Sequence, residues 1–206
     1  ETVLDFGCGN GVSTRWLDVR KMIKADNNYR EGRIDRERTT ELIRERVKQT
    51  EAGEVAVTQG FIAGSQEGYS ITLGFEGSDY TGAILASSLD AEKLTIWKDV
   101  DGIMNCDPKA FENAVKIDRL SFRDAAELSF MGAKVIHPYT IKPLQEKNIP
   151  LEVRSCLKEN NGGTMVGDFP VNTEQPLFAI MSNLMLLKLQ RPDHAFIGKF
   201  LPELIN

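Results

Sequence analysis

The chain has 206 residues, 41% hydrophobic and 27% charged, enough for one substantial core, or one core and the beginning of another, in an ordinary globular protein. A net charge of −5 with no basic arm or cluster excludes a general nucleic-acid binder, while nucleotides and small anions stay open because local fields can differ from the net sign. No apolar run approaches the ~20 residues that a membrane-crossing helix needs, which argues against a membrane partner.

Taken in chain order, Glu1 to Gly11 reads Glu-Thr-Val-Leu-Asp-Phe-Gly-Cys-Gly-Asn-Gly. It resembles the glycine-rich first motif of S-adenosylmethionine-dependent methyltransferases, in which an apolar strand and Gly7, Gly9 and Gly11 bring backbone close to a cofactor at a helix start. That motif needs strand, loop and helix in order. Here Trp16 to Lys24 follows as another strand and turn, with little room for the helix.

Ile34 to Glu51 reads as a charged helix with Leu42, Ile43 and Val47 on its apolar stripe. Glu54 to Thr58 is a β-branched strand, and Gln59 to Ser65 turns the chain through Gly60 and Gly64. The strand Ser70 to Leu73 then runs through Gly74-Phe75-Glu76-Gly77-Ser78-Asp79-Tyr80 into a helix over Thr81 to Leu89. A strand that passes through two glycines into a helix aims backbone N–H groups and the positive end of a helix dipole at one spot, which suits an anion. Capping by Ser78 or Asp79 is an equally simple use of the same residues.

Lys93 to Trp97 reads as a strand, Asp107-Pro108 as a turn, Ser121 to Gly132 as a helix, Val135 to His137 as its exit, and Tyr139 to Glu146 as another helix. Leu151 to Ser155 is a strand, Lys158 to Gly163 a linker, and Thr164 to Val166 a short strand. Leu177 to Met181 and Leu184 to Leu189 read as two more strands, and Ala195 to Leu204 as a closing helix. The alternation predicts an α/β fold, a three-layer αβα sandwich with a mainly parallel open sheet covered by helices on both faces. Cys8, Cys106 and Cys156 lack the paired spacing of zinc or redox sites; an odd count with no secretory leader in view suits a reducing, cytoplasmic setting.

Five ordered stretches carry a family resemblance: Val57-Thr58-Gln59-Gly60-Phe61, Leu73 to Tyr80, Trp97 to Lys109, Phe130 to Pro138, and Asn148-Ile149-Pro150-Leu151. Together they resemble the aspartate kinases of the amino-acid kinase family. In that family a Ser-Phe-Gly-Glu type strand and a Trp-Leu-Asp-Val-Arg type strand are separated by a helix. Asp5-Phe6-Gly7 and Trp16 to Arg20 match the two pieces without the helix, and Cys8 stands in place of the Glu, which points to a closed-up junction near residues 7 and 8. The family's Lys-Phe-Gly-Gly strand-loop, with its phosphate-binding lysine, is not among these residues. The resemblance assigns residues 1–172 to an amino-acid kinase domain lacking its N-terminal part, and 173–206 to the opening of an α+β ACT-like regulatory region.

The activity implied is formation of an acyl phosphate from ATP and L-aspartate. That reaction gathers negative charge, so catalysis is positioning and charge neutralisation. By resemblance, Asp79 organises the acceptor's amino group and nearby lysines, and Gly77 and Ser78 approach the acceptor or the phosphates. Lys98 and Asp99 match nucleotide-binding positions, Met104 a residue flanking the base, Lys109 a basic residue near the phosphates, and Lys134 a nucleotide-contacting lysine. For Asp79 a helix N-cap, and for Lys98 a solvated surface lysine, are the plain structural alternatives. His137 is read as packing beside Pro138, since a carboxylate acceptor needs no deprotonation at neutral pH; His194 has no supporting partners in sequence.

Phe75 stands where the family commonly has the Arg that pairs with the substrate α-carboxylate, and Glu76 beside it adds negative charge. A phenyl ring cannot replace a bidentate guanidinium. Either another cation serves, or aspartate affinity is lower, or the acceptor differs. The implied cofactors are ATP and Mg²⁺, the latter from the chemistry and not from a ligand cluster. The implied partners are L-aspartate, a regulatory lysine or threonine, and a second subunit through ACT pairing, as a homodimer or higher homo-oligomer. Two rivals remain: a methyltransferase, which requires continuous backbone through Gly7-Cys8-Gly9, and a catalytically impaired amino-acid-sensing homologue.

Overall fold

The computed structural model describes residues 13–30, 32–74, 77–131, 136–158, 162–170 and 176–180. They form eight strands, β1 (Thr14–Leu17), β2 (Val55–Thr58), β3 (Ile62–Gly64), β4 (Ser70–Thr72), β5 (Leu94–Lys98), β6 (Arg119–Ser121), β7 (Leu151–Ser155) and β8 (Thr164–Gly167). Four α-helices accompany them, α1 (Arg36–Val47), α2 (Gly77–Ser88), α3 (Phe122–Phe130) and α4 (Pro138–Glu146), with a 3-10 turn at Val19–Lys21. The fold is α/β, with mixed sheets and helices.

The sheet is less parallel than the alternation of elements predicts. Among the described residues β1 pairs with β2, β5 with β7 and β6 with β8 in parallel, whereas β3–β4 and β7–β8 are antiparallel. The order β5-β7-β8-β6 places β7 and β8 side by side in the four-stranded sheet. Their connection, residues 156–163, is too short for the crossover of a dozen or more residues that a parallel return needs, so the chain turns back antiparallel. The predicted turn over Gln59 to Ser65 is likewise half strand: Ile62–Gly64 pairs with Ser70–Thr72, register Ile62 to Thr72.

Helix starts differ from the periodicity for reasons of capping. Ser121, expected to be helical, ends β6 and caps α3, its hydroxyl accepting from Asp124 N at 3.0 Å. Asp35 caps α1, accepting from Arg38 N at 3.0 Å, so that helix begins at Arg36. His137 caps α4: its Nδ1 accepts from Tyr139 N at 3.3 Å, and Pro138 takes the first helical position, where a missing N–H costs nothing. α2 begins at Gly77, four residues before the predicted start, which puts Asp79 inside the first turn and not at the cap.

Residues 176–180 are not a strand, although Leu177 to Met181 reads as one; Met181 itself lies outside the described residues. Phe178 N donates to Asn105 O at 2.8 Å, and Leu177 and Ala179 lie against the core as a covering segment. The expected elements at Leu184 to Leu189 and Ala195 to Leu204, with the ACT-like region they would open, also fall outside the described residues, as does the Glu1 to Gly11 motif.

Two apolar clusters form the core, and α2 is the wall between them. Ala83 and Ala86 belong to the larger, with Leu120, Leu144, Leu151, Val153 and Val166; Ile84 belongs to the other, with Val19, Ile23, Ile43, Ile71 and Leu73. Small alanines on one face let α2 pack closely on α4, while its other face meets α1. A helix held from both sides has a fixed axis, and so does whatever its N-terminus carries.

Candidate active site

The site grows from that N-terminus. β4 leads through Leu73 and Gly74, whose φ of 85° turns the chain in the left-handed region that glycine tolerates, and Gly77 N closes the turn on Gly74 O at 3.2 Å. The loop after β2 lies directly against this turn. A Cβ on Gly60 would sit 3.0 Å from Ser78 Cβ and 3.1 Å from Ser78 Cα, so any side chain here would crowd the start of the helix. The next residue, Phe61, has a φ of 76°, uncommon for a residue with a side chain. Its backbone is held at both ends: Phe61 N donates to Thr81 Oγ1 at 3.0 Å, and Phe61 O accepts from Leu73 N at 2.9 Å. Gln59 Oε1 accepts from Val19 N at 2.9 Å, which ties the loop to the turn after β1.

Asp79 occupies the third position of α2 and is 8% exposed. Its Oδ2 is fully enclosed and has no hydrogen-bond partner among the described residues, yet Lys98 Nζ lies 2.9 Å from it. The two form a contact ion pair outside hydrogen-bond geometry. α2 and β5 form a hairpin-like excursion: the helix leaves the site and the strand returns to it, delivering its last residue, Lys98, to the first turn of the helix. The helix N-terminus adds favourable potential for a carboxylate, worth about 0.3–1 kcal/mol in exposed settings. Asp79 is the third helical residue and not the N-cap residue, and Lys98 is a partly buried lysine in an ion pair.

The remaining predicted residues lie along the segment after β5. Asp99 is exposed. Met104 is half-buried and bridges antiparallel to Lys116. Lys109 is exposed, its backbone N donating to Asp107 Oδ1 at 2.9 Å in the Asp107-Pro108 turn. No hydrogen bond or ion pair among the described residues joins Asp99, Met104 or Lys109 to Asp79. Gly77 is buried against Phe61 and Leu73, and Ser78 is exposed. Phe75, Glu76 and Lys134 lie outside the described residues.

Sequence reasoning did not single out Thr164, which holds the segment after β5 in place. Fully buried, its Oγ1 accepts from Ile103 N at 2.8 Å and donates to Ile117 O at 2.6 Å. A Cβ on Gly102 would fall 2.6 Å from the same oxygen, so the glycine is a condition of the contact. Thr81 and Phe61, which fasten the Gly60 loop to α2, were also missed as site-building residues. A threonine one helical turn after a glycine in a first turn is the only signal the sequence offered.

His137 stacks with Tyr80 at 6.4 Å between ring centroids and tilts against Tyr139 at 5.3 Å. Burial pushes the Tyr80 phenol up, with Arg36 opposing the shift. Its role is structural, in the cap and the aromatic cluster. Among the described residues no group of three or more His, Cys, Asp or Glu converges as a metal site, and no helix is long and apolar enough to cross a membrane.

A model described as the amino acid kinase family matches residues 6–155. The chain belongs to the amino acid kinase family. Lysine-sensitive aspartokinase 3 of Escherichia coli is 36% identical over 198 residues, covering 95% of this chain and 44% of the relative. A bifunctional aspartokinase/homoserine dehydrogenase of Haemophilus influenzae is 38% identical over 156 residues, 76% of this chain and 19% of the relative. Among solved structures, E. coli aspartokinase III in complex with aspartate and ADP, described as the R-state, superposes with a TM-score of 0.73 at 37% identity, covering 79% of this chain and 36% of that one. The same enzyme with lysine and aspartate, its T-state, gives a TM-score of 0.67. Isopentenyl phosphate kinase, at 19% identity and a TM-score of 0.51, shares the fold alone. The chain spans less than half the length of the curated relatives it matches. The family match begins at residue 6, inside the stretch that resembles a methyltransferase motif.

Proposed function

We propose that this chain is the catalytic part of an aspartate kinase, which transfers the γ-phosphoryl group of ATP to the side-chain carboxylate of L-aspartate and yields ADP and 4-phospho-L-aspartate. This is the step that opens the route to lysine, threonine and methionine. The observation that carries the reading is Asp79: a buried carboxylate in the first turn of α2, within Gly77-Ser78-Asp79-Tyr80, in a family member 36% identical to an aspartokinase.

In this reading Asp79 receives the acceptor's ammonium and orients its far carboxylate toward the nucleotide. Gly77 and Ser78 bring the helix start and the Ser78 hydroxyl close to the acceptor or the phosphates, where developing negative charge is stabilised without reorganisation. Lys98, Asp99, Met104, Lys109 and Lys134 line the nucleotide side, the lysines neutralising phosphate charge. The acceptor carboxylate is the nucleophile as it stands; its oxygen bonds to the γ-phosphorus while the bond to the bridging oxygen breaks and ADP leaves. Asp79 is paired with Lys98, and among the described residues no group of three or more His, Cys, Asp or Glu converges, so these form no cage for Mg²⁺. The ion belongs to the ATP phosphates, as Mg²⁺ commonly does, and no step is derived through it.

The same reading extends to the finer organisation. Residues 1–172 form the kinase domain, a three-layer αβα sandwich, and 173–206 open an ACT-like region that senses lysine or threonine and pairs subunits as a dimer or higher oligomer, in the cytoplasm. The test is hydroxamate trapping of the acyl phosphate made by the full-length protein from ATP and L-aspartate, with Asp79→Ala as control. Turnover lost in the control supports the assignment; ATP binding without turnover on any acidic amino acid overturns it. Phe75, in place of the usual Arg, favours one second reading, an amino-acid-sensing homologue that binds without turnover.

A further inference from the structure

The contact between Asp79 and Lys98 spans the two halves of the proposed site, for the resemblance gives the carboxylate to the acceptor and the lysine to the nucleotide, and the structure holds them 2.9 Å apart. We propose that Lys98 is a shared cation that makes acceptor and nucleotide bind cooperatively. Without nucleotide it occupies Asp79; a triphosphate draws the ammonium away and frees the carboxylate for the ammonium of the amino-acid acceptor. The inference rests on the aspartate kinase reading and deepens it.

Four observations support it. Asp79 Oδ2 has no accessible surface and no hydrogen bond among the described residues, so the carboxylate is enclosed but under-satisfied, and a better-aimed donor has something to gain there. The Lys98 side chain, by contrast, is 21% exposed against 8% for Asp79, so it is the more accessible partner of the pair. Its backbone is tied into the sheet: β5 pairs with β7 in register Lys98 to Ser155, and Lys98 O accepts from Cys156 N at 2.8 Å. The moving part is therefore a four-carbon stem carrying a compact point charge, which can be redirected without moving the sheet. Lastly, Lys98 ends a strand at the carboxyl edge, where open α/β sheets bind ligands, and the following segment is anchored through Ile103 N to Thr164 Oγ1 at 2.8 Å.

A polyanion on that edge competes with one carboxylate for one ammonium, and the loser is left to pair with the acceptor's own cation. Linkage makes the effect mutual: whatever factor nucleotide contributes to acceptor affinity, acceptor returns to nucleotide affinity. Lys98 in this scheme is a positioning residue, acting on the acceptor through Asp79.

The test is calorimetric titration of the full-length protein with L-aspartate, alone and with a saturating non-hydrolysable ATP analogue, and the converse titration. Wild-type protein should bind aspartate about tenfold more tightly with the analogue present, and the analogue should gain the same factor from aspartate. In Lys98→Met and Lys98→Gln that difference should vanish, with aspartate binding to the nucleotide-free protein no weaker than in wild type; Lys98→Arg should restore part of the coupling. Equal aspartate affinity with and without nucleotide in an active wild-type enzyme, or coupling unchanged in both neutral variants, would overturn the inference and leave the kinase assignment standing. A wild-type protein that makes no acyl phosphate and binds no aspartate would overturn both.

Discussion

Lys98 Nζ lies 2.9 Å from Asp79 Oδ2, across a helix and a turn of intervening chain. The α2–β5 excursion closes on itself at its two charged ends, and α2 is held on opposite faces by two separate apolar clusters. The pair is thus set by packing far from it.

Removing the carboxylate tests whether Asp79 acts on the acceptor. Asp79→Asn should lower kcat by about 10²–10³, the range for losing one preorganised charge-stabilising group. Binding of an ATP analogue should persist. Steady-state kinetics with parallel nucleotide titration checks this, and near-normal kcat would remove Asp79 from the machinery.

The close approach of Gly60 to Ser78 makes a single methyl group informative. Gly60→Ala places a Cβ about 3 Å from the helix backbone and should cost about 1–3 kcal/mol as an overpacked contact. Urea denaturation reads the loss, and a rise in KM for the acceptor should accompany it, because Gly77 and Ser78 would be displaced.

Thr164→Val keeps the shape and deletes both hydrogen bonds of the buried hydroxyl, leaving Ile103 N and Ile117 O unpaired. The expected destabilisation is about 1–3 kcal/mol for each orphaned group. Since the segment carrying Met104 hangs on Thr164, KM for ATP should rise more than KM for the acceptor.

Acid should weaken the scaffold through Asp90. The Lys147 ammonium beside Asp90 holds its carboxyl below the usual carboxylate range, and Lys147 Nζ to Asp90 Oδ1 measures 2.7 Å while Arg44 also pairs with it. A depressed pKa in the folded state contributes stability above the unfolded pKa, and that stability is lost as pH falls through the folded one. Denaturation midpoints should fall on acidification below about pH 4, and Asp90→Asn should reduce that dependence.

Phe75→Arg restores the guanidinium common at this position in the resembled family. If aspartate is the acceptor, its KM should fall about tenfold, the scale of one charge-assisted bidentate pair. An unchanged or raised KM would mean that another cation serves the α-carboxylate or that the acceptor differs.

Much of the molecule was legible in the sequence where the signal is local. The helices over Arg36–Val47, Phe122–Phe130 and Pro138–Glu146, and the strands Val55–Thr58, Leu94–Lys98 and Leu151–Ser155, all lie within a few residues of their predicted spans. Their periodicity and turn residues are properties of short windows. Ile62–Gly64 was read as a turn because three residues beside glycines carry no strand pattern; only pairing with Ser70–Thr72 makes them one. Leu177 to Ala179 has a strand's composition but no partner strand among the described residues, and it lies as a cover on the core.

Family membership and the identity of the chemical groups came from residues in order: the glycines, Asp79 and the lysines are visible at their positions before any fold is known. Their spatial relations were not. Tertiary structure decided that Asp79 sits in a helical turn and not at its cap, that its neighbour is Lys98, and that Thr164 holds the segment carrying Met104. The physical reason is range. Propensity, capping and turn chemistry act over a few residues, whereas an ion pair between the start of a helix and the end of the next strand exists only once two cores have fixed that helix and a parallel neighbour has fixed that strand.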